Sequence, residues 1–178
     1  MSNELPPVEL ITPRLRLRAP HRDDAEVLAA NLGNYDVSKM LAKVPHPYTL
    51  EMAHAWIDTP RINRMPFIIE MDGQMAGSVA LRKFDTVADL GYWMVPEYWG
   101  RGIMSEAASA ALAWLFDTTD HQRVVAGCIE GNHASFRIMQ KLGFTITGNS
   151  QVHCLARGEN LPHIDTELLR SRFTPLTS

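Results

Sequence analysis

Apolar and polar residues recur in short blocks along this chain, and the blocks predict strands and helices in a mixed order. Partial alternation from Val8 to Arg18, with Leu15 and Leu17 set between arginines, predicts a half-buried first strand. Further apolar runs predict strands over residues 67–70, 75–81, 89–95, 124–129, 144–147 and 164–169. Apolar residues at helical spacing predict helices over residues 25–30, 50–58, 103–116 and 132–142, and Asp23-Asp24, Thr49, Pro60 and Gly143 supply start or end signals for three of them.

The order of these elements indicates the fold class. Asp72-Gly73 between two apolar runs predicts a hairpin, because both residues tolerate positive φ. The remaining elements alternate between strand and helix, which predicts an α/β or α+β mixed sheet with flanking helices. No repeat, low-complexity tract or Gly/Ser linker interrupts the chain, so we expect one domain over 1–178 with a core of about residues 8–173.

The amino-acid composition argues against several classes of binding partner, namely nucleic acids, membranes and metal ions. The 178 residues are 46% hydrophobic and 21% charged, which is typical of an ordinary globular protein, and their net charge of -3 gives no support to nucleic-acid binding. Two distant cysteines favour a reducing compartment, and no signal peptide or membrane-spanning run is visible, so we expect a cytoplasmic protein with no membrane partner. The seven histidines show no metal-ligand spacing, so we expect no metal site and ordinary surface or core roles for all of them.

One loop carries a chemical signal. The run Trp99-Gly100-Arg101-Gly102 lies between a predicted strand and a helix that begins at Ile103. The first turn of a helix has free N–H groups that attract an anion, and the glycines remove the Cβ atoms that would keep phosphates at a distance. Arg101 adds a charge that can bind phosphate oxygens, so a pyrophosphate is the expected ligand.

Three competing interpretations apply to this loop. A Walker loop needs a Gly-x-x-x-x-Gly-Lys-Ser/Thr run, which the chain lacks. A dinucleotide loop needs a third glycine or alanine where this chain has Ser105, and a βαβ unit where this chain has a hairpin. On these residues alone, a simple turn that connects strand to helix remains open.

A second segment resolves the ambiguity. Val124–Ile129, then Glu130-Gly131-Asn132-His133-Ala134-Ser135-Phe136 and Lys141-Leu142-Gly143-Phe144, closely resembles the GNAT superfamily of N-acetyltransferases. The resemblance implies that the glycine loop binds the pyrophosphate of acetyl-CoA, and that splayed strands of a mostly antiparallel twisted sheet hold its pantetheine arm. It also implies that the oxyanion is stabilised by a main-chain N–H near Met94 or Val95. The implied cofactor-binding residues are Met94, Val95, Gly100, Arg101, Gly102, Ile103, Met104, Ser105, Asn132 and Phe136.

Further motifs are similar to the RimJ/RimL-type branch of that superfamily. They are the N-terminal run from Leu10 to Arg18, Tyr92-Trp93, Ser105-Glu106-Ala107 after the loop, and Asp165 near the start of the last strand. The resemblance runs from Leu10 to about Phe173. It implies an enzyme, monomer or homodimer, that acetylates a primary amine, nominally the N-terminal α-amine of a protein. A small amine (aminoglycoside, polyamine or amino-acid derivative) is the competing acceptor. A CoA-binding module that has lost catalysis and a plain nucleotide-binding protein also remain open.

The resemblance also bears on which residue acts as the general acid. Met139 stands where many members of the superfamily carry a tyrosine that acts as the acid, and a thioether cannot donate a proton. Met104 is likewise bulkier than the glycine or alanine usual there. RimJ/RimL-type enzymes often have serine at the position of Ser135, so we expect Ser135 to protonate the leaving thiolate. The competing interpretation is that Ser135 only helps Asn132 to cap the helix.

Two carboxylates are candidate general bases. Asp89 lies where the superfamily often has a glutamate, and strand alternation places it on one face with Gly91 and Trp93. It is one methylene shorter than glutamate, so a bridging water would relay the proton. An equally weighted interpretation is a solvated carboxylate at the strand edge. Glu130, at the end of the next strand, is the second candidate base.

Overall fold

The computed structural model describes residues 5–85 and 87–176 of the chain. In chain order its strands and main helices are β1 (Leu10–Ile11), β2 (Arg16–Arg18), α1 (Ala25–Leu32), α2 (Tyr35–Ser38), α3 (Leu50–Asp58), β3 (Arg64–Met71), β4 (Gln74–Arg82), β5 (Ala88–Met94), α4 (Ile103–Thr118), β6 (Arg123–Ile129), α5 (His133–Lys141), β7 (Thr145–Cys154) and β8 (Glu159–Leu169).

The strands form an eight-stranded sheet in the order β1-β2-β3-β4-β5-β6-β8-β7. Its neighbours are antiparallel except β5 and β6, which are parallel and joined through α4. The turn between β3 and β4 has positive φ at Asp72 (53°) and Gly73 (75°), as a two-residue hairpin requires. The predicted hairpin and the predicted mixed, mostly antiparallel sheet with flanking helices are both confirmed.

Helix α4 covers one face of the sheet. Ala107, Ala108 and Ala111 have no exposed surface, and such small side chains let the helix axis approach the strands closely. Leu112 and Leu115 are also fully buried and fill the space between helix and sheet. Burial of each leucine stabilises the fold by about 1.5–3 kcal/mol.

Helices α1 and α3 cover the opposite face. Their buried residues pack with Ile68 of β3 in a second apolar cluster, against which Trp93 of β5 also lies. Neighbouring side chains on β5 therefore point to opposite sides: Tyr92 contacts the α4 cluster, and Trp93 contacts the α1–α3 cluster. The sheet thus separates two layers, and any cleft through it opens to both.

Two predictions about local structure were wrong, and one short helix was not predicted. The expected first strand is two short strands, because the residues around Pro13 form a turn in which the Thr12 amide donates to the Leu15 carbonyl at 2.9 Å. Strands β7 and β8 are longer than predicted, since the edge strand β7 is mostly exposed and its polar residues hide the alternation. The four-residue helix α2 is too short to give a periodic signal.

Two features are absent from residues 5–85 and 87–176. No helix in those ranges is long and apolar enough to cross a membrane. The same residues contain no group of three or more His, Cys, Asp or Glu side chains placed to hold a metal ion.

Candidate active site

A cleft opens where β5 and β6 diverge. The two strands pair only at their amino ends, Ala88 with Val124 and Asp89 with Val125. Beyond these pairs the strands separate, and a cavity of about 1210 Å³ passes between them and is lined by residues from both. Backbone groups along the separated halves face this space instead of a neighbouring strand, so a ligand inserted there meets hydrogen-bonding groups that the sheet does not use. We call this opening the cleft.

The backbone of β5 presents one of its amides to the cleft. The Val95 N–H donates to the Ala76 carbonyl at 2.9 Å, so it is not free to bind a ligand. Because successive N–H groups of a strand point to opposite edges, the Met94 N–H faces the cleft. Its carbonyl faces the same way and accepts a hydrogen bond from the Trp99 indole at 3.1 Å. Of the two donors expected for an oxyanion, Met94 therefore has the suitable orientation.

The glycine loop lies beside the cleft at the start of α4. Gly100 and Gly102 both have φ of 74°, a left-handed conformation that other residues adopt only with strain. A Cβ on Gly100 would have no protein atom within 4 Å, so the loop is open where a ligand would approach. Gly102 caps α4 without any side-chain hydrogen bond, which leaves the first-turn amides available to an anion. The geometry of the loop is therefore compatible with the predicted pyrophosphate site.

The side chains of the loop region point in different directions. The Arg101 guanidinium lies over the Tyr98 ring, 5.4 Å from its centroid, and Arg101 itself is exposed. Ile103 and Ser105 are buried, so only their amides are oriented to contact a phosphate, whereas Met104 is buried and lines the cavity wall. Met104 thus provides apolar wall where the usual glycine or alanine would leave space.

An ion pair holds the glycine loop in place, and it joins two residues that are far apart in the sequence. Arg14 contacts Glu106 in the first turn of α4, with Nη2 and Oε2 2.7 Å apart, and donates to the Arg101 carbonyl at 3.0 Å. The Thr12 hydroxyl donates to the other Glu106 oxygen at 2.6 Å. Burial alone would raise the pKa of Glu106, but the hydrogen bonds from Thr12 and Arg14 outweigh it and lower that pKa. The carboxylate therefore stays charged and ties the N-terminal turn to the loop.

Two hydroxyl groups meet on the α5 side of the cleft. The Ser135 and Tyr92 oxygens are 3.0 Å apart, and the Tyr92 hydroxyl is also within 3.1 Å of the Ser135 carbonyl. Asn132 caps α5 by accepting from the Ser135 amide at 3.2 Å, so the Ser135 side chain does not provide the cap. Burial raises the pKa of Tyr92 strongly and outweighs the hydrogen bond with Ser135, which lowers that pKa. Tyr92, which the sequence analysis names only as part of the Tyr92-Trp93 motif, thus joins Ser135 as a protonated hydroxyl.

Met139 lies close to this pair but in the core. It is buried, and its sulfur is 3.4 Å from the Thr166 hydroxyl, which also donates to the Ala126 carbonyl. Met139 therefore fills space under the cleft and supplies no proton.

The structure separates the two expected carboxylates. Asp89 lines the cavity at the point where β5 and β6 part, and it is engaged by Arg82 at 3.2 Å and Lys83 at 3.7 Å. Glu130 is exposed and does not line the cavity, so the structure does not bring it to the cleft. Phe136 is half-buried against the α4 cluster and does not line the cavity either.

The other half of the cavity lies on the α1–α3 side of the sheet and has a mainly apolar wall. We call this surface the acceptor wall; its apolar residues are Leu28, Leu32, Val37, Met40, Leu41, Val44, Tyr48, Trp56 and Trp93. Charged residues that line the cavity are Asp36, Lys39, Lys43, Arg82, Lys83, Asp89 and Asp165. The cleft thus connects the glycine loop on one side with an apolar pocket on the other.

Comparison with known proteins agrees with this geometry. Residues 14–145 match the model of the acetyltransferase (GNAT) domain family. Relatives include the ribosomal protein uS5-alanine N-acetyltransferase of Escherichia coli (strain K12), 30% identical over 86 residues that span 48% of this chain and 44% of that enzyme. The spermidine N(1)-acetyltransferase of the same strain is 26% identical over 140 residues, or 75% of this chain and 74% of that enzyme.

Solved structures show the same fold. The crystal structure of the microcin C7 self-immunity acetyltransferase MccE, in complex with acetyl-CoA and AMP, superposes with a TM-score of 0.79. It is 21% identical and the match covers 89% of this chain and 93% of that one. The family model spans most of the chain, and the glycine loop and diverging strands provide the features that acetyl-CoA binding requires. The chain therefore belongs to the acetyltransferase (GNAT) family and is an acetyl-CoA-dependent N-acetyltransferase.

Proposed function

We propose that the enzyme acetylates the N-terminal α-amine of a protein or peptide whose first residues are small or apolar. The observation that carries this proposal is the apolar acceptor wall, where Trp56 and Trp93 offer aromatic surface beside the cleft. Apolar surface of this kind favours an amine attached to an uncharged group.

The charges near the acceptor wall argue against a polycationic acceptor. Asp36 is paired with Lys39, and Asp89 with Arg82 and Lys83. A polyamine or aminoglycoside would need carboxylates to neutralise its several ammonium groups. Here Asp36 and Asp89 already face basic side chains of the same protein. Asp165 is hydrogen-bonded to His163 and Ser150. The two kinds of acceptor named for the relatives, a ribosomal protein and spermidine, are therefore not equally supported, and the protein N-terminus is favoured.

We assign the cleft residues the following roles. The glycine loop and the first turn of α4 bind the pyrophosphate, and the Met94 N–H stabilises the oxyanion. Ser135, in contact with Tyr92, donates a proton to the departing thiolate. Asp89 is a poor general base in this arrangement, since its pairing with Arg82 must be broken before it can accept a proton; it orients the neighbouring side chains instead.

The test is CoA release from acetyl-CoA with a panel of amines. The panel contains lysine-free peptides that begin with Ala, Ser or Met, together with spermidine and an aminoglycoside. We expect at least one peptide to have a kcat/KM about tenfold or more above that of spermidine, since loss of a charge-matched site costs a factor of this order. The same peptide with a blocked N-terminus is the control and should release no CoA.

Three outcomes would contradict the proposal. A higher kcat/KM for spermidine or the aminoglycoside would make the small amine the acceptor. Absence of turnover with every amine, combined with a rise in Tm on adding CoA, would indicate a CoA-binding module that has lost catalysis. A rise in Tm with ATP or NAD but not with CoA would indicate a nucleotide-binding protein.

A further inference from the structure

A histidine and an aspartate on β8 form a hydrogen-bonded pair. The His163 Nδ1 atom is 2.8 Å from an Asp165 carboxylate oxygen, since residues two apart on a strand point to the same face. The Ser150 hydroxyl on β7 donates to the same oxygen at 3.0 Å. The carboxylate is thus held between two partners and fixes the orientation of the imidazole ring.

The His163 ring lies against the backbone of β6 beside the cleft. A Cβ on Gly127 would fall 2.2 Å from the ring Cε1 and 2.9 Å from Nε2, so the ring occupies the space that a side chain at 127 would need. Both His163 and Asp165 line the cavity, and the His163 side chain is 20% exposed. The glycine therefore allows a histidine from the neighbouring strand to reach one wall of the cleft.

The hydrogen bond to Asp165 sets the tautomer. A carboxylate can only accept, so Nδ1 carries a proton, and in the neutral imidazole Nε2 then has the lone pair. Among the described residues, no hydrogen bond to Nε2 is present. We infer that His163 is the general base that takes the proton from the attacking amine, with Asp165 as the residue that positions it; this inference rests on the proposed acetyl transfer to an amine.

The position of His163 suits this step because the two proton transfers need opposite sides of the cleft. On β6, Cys128 packs in the α4 cluster, whereas Gly127 faces the other layer together with its cross-strand partner Asp165. His163 therefore lies on the acceptor side. Ser135 and Tyr92 lie on the α5 side, where the thiolate would depart. An incoming amine meets a base, and the leaving sulfur meets a donor.

His163 is also better suited than the carboxylates expected to act as the base. Asp89 is held by Arg82 and Lys83, and Glu130 is exposed outside the cavity. A neutral imidazole with an orienting carboxylate is the arrangement that activates nucleophiles in many hydrolases, and it needs no ion pair to be broken first.

The reaction balances with these residues. The amine nitrogen forms a bond to the thioester carbonyl carbon, its proton moves to His163 Nε2, and the carbonyl oxygen becomes an oxyanion facing the Met94 N–H. Collapse of this adduct breaks the carbon–sulfur bond, and the thiolate takes a proton from the Ser135 hydroxyl. His163 then loses its proton to water and Ser135 regains one from water, so the products are the amide and CoA thiol.

The test compares His163→Gln and Asp165→Asn with a matched control, His153→Gln. His153 is on the same hairpin, is exposed and is hydrogen-bonded across it to Asn160, but it does not line the cavity. With the best amine of the panel, we expect His163→Gln to lower kcat about 10²-fold, because general bases contribute at least this much, and to leave the KM for acetyl-CoA unchanged. Asp165→Asn should lower kcat in the same direction, and His153→Gln should match wild type.

A second measurement separates a base from a merely structural side chain. His163→Ala removes the ring, and added imidazole should restore part of its kcat by binding in the vacated space, with a rate that rises with pH as imidazole becomes neutral. CoA-induced stabilisation of each variant shows that the fold and the cofactor site persist.

Different results would contradict the role of His163 and the proposed acetyl transfer. His163 would not be the general base if the kcat of His163→Gln stayed within about threefold of wild type. The same conclusion would follow if imidazole did not restore the activity of a His163→Ala enzyme that still binds CoA. A wild-type enzyme that turns over no amine would overturn the proposed acetyl transfer, and the base with it.

Discussion

At the residue scale, the contact between Ser135 and Tyr92 supports the proposed role of Ser135 as the general acid in place of the usual tyrosine. Met139 occupies that position and is buried, but the Tyr92 hydroxyl enters the same region from β5 and lies 3.0 Å from the Ser135 oxygen. Because burial raises the pKa of Tyr92, this hydroxyl keeps its proton across the neutral range. It can therefore hold Ser135 in place while Ser135 exchanges its proton with the sulfur.

Replacement of Ser135 by alanine tests this role. The α5 cap should survive, because it uses the Ser135 backbone amide, and Tyr92 keeps the Ser135 carbonyl as a partner at 3.1 Å. We expect kcat to fall about 10²-fold with the KM for acetyl-CoA unchanged, since only the transition state loses a proton donor. Steady-state kinetics by CoA release measure both parameters.

Ser171→Ala is the control for this substitution. Ser171 is exposed near the C-terminal end, far from the cleft in sequence and outside its lining. It should leave kcat unchanged. If Ser135→Ala also keeps kcat within about threefold of wild type, Ser135 has no acid role and the cap interpretation is sufficient.

At the scale of secondary-structure elements, a charged joint fixes α1 against the sheet. Arg18 on β2 donates to both Asp24 oxygens at 2.8 Å and to Glu70 on β3 at 2.7 Å. The His21 amide donates to Asp24 at 2.7 Å. Because α1 supplies part of the acceptor wall, this joint helps to position the wall relative to the cleft.

The pKa of Asp24 gives the joint a defined pH dependence. Burial alone would raise it, but Arg18 and the His21 amide outweigh burial and hold the pKa of Asp24 below its ordinary value. A carboxyl with a lower pKa in the native state stabilises that state above its unfolded pKa, about 4. The stabilisation is lost as the pH falls through the native pKa.

Asp24→Asn should therefore lower the free energy of unfolding by about 2 kcal/mol at pH 7, the contribution typical of hydrogen bonds to a charged group. The difference from wild type should shrink as the pH falls below about 4. Urea denaturation at pH 7 and at acid pH measures it. Asp23→Asn is the matched control, because the Asp23 side chain is 91% exposed, and it should behave as wild type. An equal effect of both substitutions, or one independent of pH, would contradict the joint.

The secondary-structure elements also show why the sequence predicted the glycine loop but not the Arg14–Glu106 ion pair that supports it. The glycines at 100 and 102 and the start of α4 are contiguous, so residue types alone indicate an anion site. Arg14 meets Glu106 across 92 positions of the chain. Nothing in the residues around Arg14 indicates this contact, which arises only when β1, β2 and their turn reach α4. The sequence could therefore predict an open glycine loop at the start of α4, but not the ion pair that holds this loop in place.

At the scale of the whole molecule, the division of the sheet could be expected only from the family resemblance. Apolar runs predicted β5 and β6, yet no residue in them indicates that pairing stops after Asp89 and Val125. The hairpin of β7 and β8 was underestimated because polar residues dominate the exposed edge. That hairpin determines which side chains reach the cleft, so a histidine that looked ordinary in the sequence is placed beside it.

The contact between Gly127 and His163 links the register of β6 and β8 to catalysis. A Cβ at 127 would lie 2.2 Å from the His163 ring and 2.7 Å from the Ile164 carbonyl, so Gly127→Ala must displace the ring or the strand. We expect a stability loss of about 1–3 kcal/mol, typical of overpacking, and a kcat reduced about tenfold or more.

Gly148→Ala is the matched control, because a Cβ there would have no atom within 4 Å although residue 148 pairs with Asp165 on the other side of β8. It should keep wild-type kcat. Combining Gly127→Ala with His163→Gln should be barely slower than His163→Gln alone, since both changes remove the same function and such effects are not additive. Two results would contradict this link: a Gly127→Ala enzyme with the same kcat as Gly148→Ala, or full additivity of the two effects on kcat in the double variant. Either result would show that Gly127 serves packing only and does not act on catalysis through His163.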